Sequence, residues 1–187
     1  MPKMFVIRHA ATIMDFDIPP ADWTVSTEGV QATRALAAQE SWSGVSRIYH
    51  SPENKAVATA KIVSEVSGIP TRVADDLREL GIPTIQPGEE FICRVGAYLA
   101  GSHDPEFEDW NAATERIVHC VQGIVRDEHG TSVAIVSHGR ILTVLFSHIL
   151  KRRMSVEEWR SIRMPDLSVV DLDSWTVERG FLSPSAR

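Results

Sequence analysis

Apolar runs alternate with amphipathic stretches along most of this chain. Residues 3–7 (KMFVI) form one such run and residues 132–136 (SVAIV) the clearest one. Continuous apolar runs of this length suit strands buried on both faces. Residues 46–50 and 71–74 read as two more strands, and 168–172 and 176–179 as closing strands. Between them the apolar period lengthens to that of helices. Ser26-Thr27-Glu28 opens one helix, with Val30, Ala32, Ala35, Leu36 and Ala37 behind it. A serine ahead of an acidic first turn supplies the acceptor that free N–H groups need. Pro52 stands where a second helix would begin, and Ala56, Ala60, Ile62 and Val63 give its buried face. Further helices are expected over 91–99, 114–126 and from 139 to about 150. Strands alternating with helices predict an α/β fold with a mostly parallel central sheet.

One segment breaks the alternation. Residues 81–110 hold Gly81, Pro83, Pro87, Gly88, Gly101 and Pro105, with six acidic residues between Glu89 and Asp109. This reads as a surface excursion, expected to act as a lid and as the element that sets specificity. With 187 residues the chain suits a single domain spanning 1–187.

Composition narrows the classes of partner. Apolar residues make up 43 % and charged residues 24 %, with a net charge of -6. Lys151, Arg152 and Arg153 form a lone basic cluster, so nucleic acid is not expected as a partner. Cys93 and Cys120 are isolated, as expected of free thiols in a reducing compartment. The first apolar run is too short for a leader, and Arg8 and His9 interrupt it. The apolar stretch 141–150 is too short to cross a bilayer. These features predict a cytoplasmic protein without a membrane partner. The oligomeric state is left open.

The candidate chemistry sits where apolar runs end. FVI runs into Arg8-His9, and VAIV runs into Ser137-His138-Gly139. Ligands of open parallel sheets bind beyond the carboxyl ends of the strands. A third run ends in His50-Ser51-Pro52 and leads to Lys55. Histidine nitrogen is a competent nucleophile toward phosphorus. Arginine offers a fork of donors suited to phosphate oxygens, lysine a point charge, and the helix start after His138 free N–H groups. Ester cleavage also needs an acid for the leaving oxygen, usually Asp or Glu.

These residues carry a resemblance. R-H-A-A-T at 8–12 resembles the R-H-G-x-T motif of the histidine phosphatase superfamily, the phosphoglycerate-mutase-like enzymes. Thr27-Glu28-Gly29 with Gln31-Ala32, H-S-P-E-N-K-A-V-A-T-A at 50–60, Leu77-Arg78-Glu79 and V-S-H-G at 136–139 resemble its later motifs, in order. The resemblance implies a three-layer α/β/α sandwich and a phosphoric monoester hydrolase acting on a small phosphorylated molecule without a metal or other cofactor. It implies His9 as the phosphorylated nucleophile and Glu79 as proton donor, with Asp75, Asp76, Glu89 and Glu90 as nearby competitors. Arg8, Lys55 and His138 would hold the phosphoryl oxygens, with the N–H groups that begin at Gly139. Ala10 stands where the family has glycine, and Lys55 where it has a second arginine. Two other readings stay open: a phosphoryl-binding protein with weakened turnover, and a phosphate-transferring mutase. Arg116 either supports the site or pairs with a surface acid. His103, His119, His129 and His148 have no partner motif.

Overall fold

The computed structural model describes residues 1–83, 85–86 and 88–181. Positions 84 and 87 of the expected excursion, Pro87 among them, and positions 182–187 lie outside the described residues. Six strands form one sheet: β1 (Lys3–Arg8), β2 (Val45–His50), β3 (Thr71–Val73), β4 (Ser132–Ser137), β5 (Asp166–Asp171) and β6 (Thr176–Arg179). Their order is β3-β2-β4-β1-β5-β6. The first four strands in that order run parallel, whereas β5 and β6 are antiparallel to their neighbours. The helices are α1 (Thr27–Gln39), α2 (Asn54–Ser67), α3 (Glu89–Ala100), α4 (Trp110–Asp127), α5 (Gly139–Ile149) and α6 (Val156–Ser161).

Side chains alternate across the sheet, so each central strand feeds two cores. Phe5, Ile7, Ile48, Ala134 and Val136 pack with Ala37 of α1 and Ala56, Ala60 and Val63 of α2. Met4, Val6, Val133 and Ile135 pack with Ile117 and Val121 of α4 and Ile141, Leu142 and Leu145 of α5. This is the expected α/β/α sandwich. Each fully buried Ile or Leu in these layers contributes about 1.5–3 kcal/mol.

The connections explain where a site can form. After β1 the chain turns to α1 and β2 on one side; after β4 it turns through α5 and α6 to β5 on the other. The neighbours β1 and β4 therefore part company at their carboxyl ends, which opens a crevice.

Three local departures have clear causes. α2 starts at Asn54, so Pro52 precedes the helix instead of opening it. The Glu53 side chain between them does not cap the helix but turns to other partners described below. α4 starts at Trp110, before the expected residue 114, because Asp109 Oδ1 accepts from Asn111 N and Ala112 N at 2.9 and 3.1 Å. α6 was not expected, although Ser155 and Glu158 form a reciprocal capping box that starts it.

The excursion closes on itself. Glu108 N donates to Gly81 O at 2.6 Å, and Gly81 N donates to Glu108 Oε2 at 3.0 Å. Its helix α3 buries Val95, Tyr98 and Leu99 in the α4/α5 core, and Phe91 packs edge-on against Trp159 of α6. Arg94 grips Asp104 and Glu106, Arg116 grips Glu108, and Asp109 caps α4. Most carboxylates of the excursion are thus committed within the protein, which reduces the negative charge it presents.

Candidate active site

The β1–β4 register sets Arg8 beside Ser137, so the next residues, His9 and His138, meet at the crevice. His9 N donates to Ser137 O at 2.9 Å, and the two imidazole centroids lie 5.1 Å apart. His9 Nδ1 lies 2.8 Å from Ala10 O. A carbonyl oxygen only accepts, so Nδ1 carries the proton and Nε2 keeps its lone pair. Burial, then the neighbouring His138, push the His9 pKa well below the ordinary histidine value. His138 is fully buried, and burial pushes its pKa down to about 3 against the opposing pull of Glu79. Both rings are therefore neutral at neutral pH. His138 Nε2 lies 2.7 Å from Ser51 Oγ, while its Nδ1 is buried with no hydrogen-bond partner.

Arg8 leaves β1 on the α5 side. Its Nη1 donates to Ile162 O, and its guanidinium lies flat against the first residue of α5, Gly139. A Cβ on Gly139 would stand 2.8 Å from Arg8 Cζ, so glycine is needed there for space. Arg8 Nε is buried and unpartnered. Burial lowers the Arg8 pKa, while Glu79 and Asp166 pull the other way.

The end of β2 supplies the floor. Ser51 Oγ accepts from Glu53 N at 3.2 Å and faces His138. Lys55 is buried, and its Nζ donates to Glu53 Oε2 at 2.6 Å and Pro20 O at 2.7 Å. Glu53 Oε1 lies 3.5 Å from His138 Nε2 and accepts from Glu79 N at 2.7 Å. One carboxylate thus joins Lys55, His138 and the backbone of Glu79. Ala10 fits without strain. Its N donates to Thr59 Oγ1 at 2.9 Å, and left-handed backbone among non-glycine residues described here is confined to His129, Lys151 and Trp175.

Glu79 arrives on the strand-to-loop segment after β3. Ser137 Oγ donates to Leu77 O at 2.7 Å, and Arg116 donates to the carbonyls of Asp76, Arg78 and Glu79. Glu79 Oε1 accepts from Leu80 N and Ile141 N at 2.9 and 3.0 Å. Its Oε2 lies 3.3 Å from Arg140 Nη2. Burial pushes the carboxyl up, but Arg140 and the two N–H donors outweigh it, and the pKa falls to about 2. Arg140 lies under the excursion, 5.5 Å from the Phe91 ring centroid, and its Nε is buried and unpartnered.

A family model for the histidine phosphatase superfamily (branch 1) matches residues 4–181. The chain belongs to the histidine phosphatase superfamily. Solved structures share the fold of this histidine phosphatase domain at low identity. YhfR of Bacillus stearothermophilus is 19 % identical with a TM-score of 0.74, covering 96 % of each chain. A phosphoglycerate mutase from Bacillus anthracis is 21 % identical with a TM-score of 0.71, covering 96 % of this chain and 92 % of its own. A phosphoserine phosphatase from Entamoeba histolytica, solved with phosphoserine, is 16 % identical with a TM-score of 0.72, covering 97 % and 98 %. No protein of curated function matches the chain.

Within the superfamily domain, Arg8, His9, Lys55, Glu79, His138 and Gly139 come together at one crevice. Asp75, Asp76, Glu89 and Glu90 make no contact with either histidine among the interactions described. Arg116 pairs with the half-buried Glu108 and also donates to the carbonyl of Glu79. Sequence reasoning missed Glu53 and Arg140. The signals were present: Glu53 lies inside the H-S-P-E-N-K stretch, and Arg140 follows V-S-H-G directly. Among the described residues, no helix is long and apolar enough to cross a membrane, and no group of three or more His, Cys, Asp or Glu is placed to hold a metal ion.

Proposed function

We propose that this chain hydrolyses a small phosphomonoester through a phosphohistidine on His9. The observation that carries the reading is the His9 imidazole, neutral and fixed by Ala10 O in the tautomer that leaves Nε2 free, beside the Arg8 guanidinium. In the first step His9 Nε2 attacks phosphorus. The P–O ester bond breaks, and Glu79 gives its proton to the leaving oxygen. In the second, Glu79 takes a proton from water, the water oxygen attacks phosphorus, and the P–N bond breaks to return neutral His9 and inorganic phosphate. Arg8, His138 and the N–H groups at Gly139 hold the phosphoryl oxygens, and Lys55 adds charge from below, partly balanced by Glu53.

The test is hydrolysis of an aryl phosphate by the wild type and His9→Ala, followed by acid-labile labelling of the wild type. Activity and label confined to the wild type are expected; equal rates in both proteins would sink the assignment. One observation favours a second reading, a phosphoryl-binding protein without turnover. Arg140 lies 3.3 Å from Glu79 Oε2 and helps to hold that carboxyl ionised, and an ionised carboxylate cannot protonate a leaving group. Tight binding of inorganic phosphate with no hydrolysis of any ester would support it.

A further inference from the structure

We propose that Arg140 is the second guanidinium of the phosphoryl site, resting on Glu79 when no phosphoryl group is bound and moving to the phosphoryl oxygens when one is. The inference rests on the phosphatase reading only in taking a phosphoryl group as the ligand.

The cations of the site differ in how free they are. Lys55 Nζ is held by a carboxylate and a carbonyl, both within 2.7 Å, and its side chain is buried. Its position is that of a strut between α2 and the Pro20 segment, with its charge matched by Glu53. Arg140 is held loosely. Its contact with Glu79 spans 3.3 Å and involves one terminal nitrogen, and its Nε has no partner although it is buried. Arg8 Nε and His138 Nδ1 are buried and unpartnered in the same cluster. Three unpartnered nitrogens with a fork of arginine donors on each side suit an oxyanion with several oxygens.

The two oxygens of Glu79 give the movement its purpose. Oε1 is occupied by Leu80 N and Ile141 N, so a proton on this carboxyl must sit on Oε2. Oε2 is the oxygen beside Arg140. While Arg140 stays there, Oε2 cannot be a good proton carrier. When a phosphoryl group draws Arg140 away, Oε2 takes a proton from solvent and can pass it to the leaving oxygen. The other groups facing Glu79 do not offer this switch. Arg8 and His138 act from the histidine side, Glu53 accepts from its backbone N–H, and Arg116 holds its carbonyl. The Phe91 ring, 5.5 Å from the Arg140 guanidinium, belongs to the excursion, which therefore packs against the moving group.

A double-mutant cycle on the full chain tests this, reading inorganic phosphate affinity by titration calorimetry. Arg140→Gln is expected to weaken binding about tenfold or more, with partial recovery in Arg140→Lys and a smaller loss in Lys55→Met. Glu79→Gln is expected to strengthen binding about tenfold, because it releases Arg140, but less than about threefold when Arg140 is already Gln. Should Arg140→Gln fail to fold, the same cycle runs with Arg140→Lys. Wild-type affinity in Arg140→Gln, or an equal gain from Glu79→Gln in both backgrounds, overturns the proposal. A wild type that binds phosphate and shows the coupling but hydrolyses nothing would remove the hydrolase reading and leave this one standing. A wild type that binds no phosphate overturns both.

Discussion

Gly139→Ala tests the site with one methyl group. Gly139 is the first residue of α5, and its backbone is not among the left-handed glycines, which are Gly44, Gly68, Gly101 and Gly130. Alanine is acceptable to the backbone and is the better helix former by about 0.5–1 kcal/mol. The obstacle is space. The new Cβ would stand 2.8 Å from Arg8 Cζ and 3.0 Å from its Nε and Nη2. Favourable separations are about 3.5–4.0 Å, so the guanidinium must retreat by about 1 Å. It is held to Ile162 O, and the retreat breaks or bends that bond. A hydrogen bond from a charged group is worth about 1.5–3 kcal/mol. The net stability loss is then about 0.5–2.5 kcal/mol, a fall in Tm of up to about 10 °C. The same displacement takes Arg8 out of line with a bound phosphoryl group, which costs about 10- to 150-fold in phosphate affinity. The assays are phosphate titration, kcat/KM on an aryl phosphate, and thermal melting. Gly130→Ala is the control. Gly130 has φ +80° and open space around its Cβ position, so the substitution strains the backbone by about 1–2 kcal/mol and leaves phosphate affinity alone. A folded Gly139→Ala protein with both affinity and kcat/KM within about twofold of wild type would refute the placement of Arg8 against α5.

The remaining predictions concern protonation and support. His138 stays neutral in the folded protein down to about pH 3 but titrates near 6.5 when unfolded, so its contribution is present above pH 6.5 and lost as pH falls. By pH 5 this one histidine costs about 2 kcal/mol, and His9 acts in the same direction. Melting from pH 8 to 5 is expected to show Tm falling more steeply in wild type than in His138→Gln; parallel slopes would contradict it. Glu79→Gln is expected to slow hydrolysis of an alkyl phosphate far more than that of a nitrophenyl phosphate, whose leaving group needs little protonation, and an equal slowing would argue against Glu79 as the acid. Arg116→Ala leaves Glu108 half-buried without its cation and frees three carbonyls of the Glu79 segment. The expected loss is about 2–3 kcal/mol, or about 5–10 °C in Tm, together with a lower kcat; an unchanged melt would show the tether to be idle.

Much of this protein was legible in the one-dimensional pattern. The interiors of β1 (Met4–Ile7) and β4 (Val133–Val136) are apolar at every position because both faces of the central sheet are covered, and that pattern survives any detail of packing. The abrupt change from FVI to Arg8-His9 and from VAIV to Ser137-His138 marked the strand ends, and strand ends of a parallel sheet are where sites form. Capping chemistry was equally local, as Ser26 shows by accepting from Gly29 N. The capping box at Ser155 and Glu158 is just as local, although only six helical residues follow it.

What the sequence could not decide was partnership. Lys55 and Arg140 are both cations near a motif, and no spacing says that Lys55 is tied to Glu53 while Arg140 has a spare nitrogen. Ala10 stands where the family has glycine, yet its backbone lies in a region open to any residue and Thr59, 49 positions away, receives its N–H. The count of acidic residues in the excursion does not say that Arg94 and Arg116 neutralise much of its charge. Strand formation and capping depend on neighbours a few residues away, so the sequence by itself determined them. The protonation of His9, His138 and Glu79 depends on burial and on charges brought from four separate segments, and only the tertiary structure could decide those.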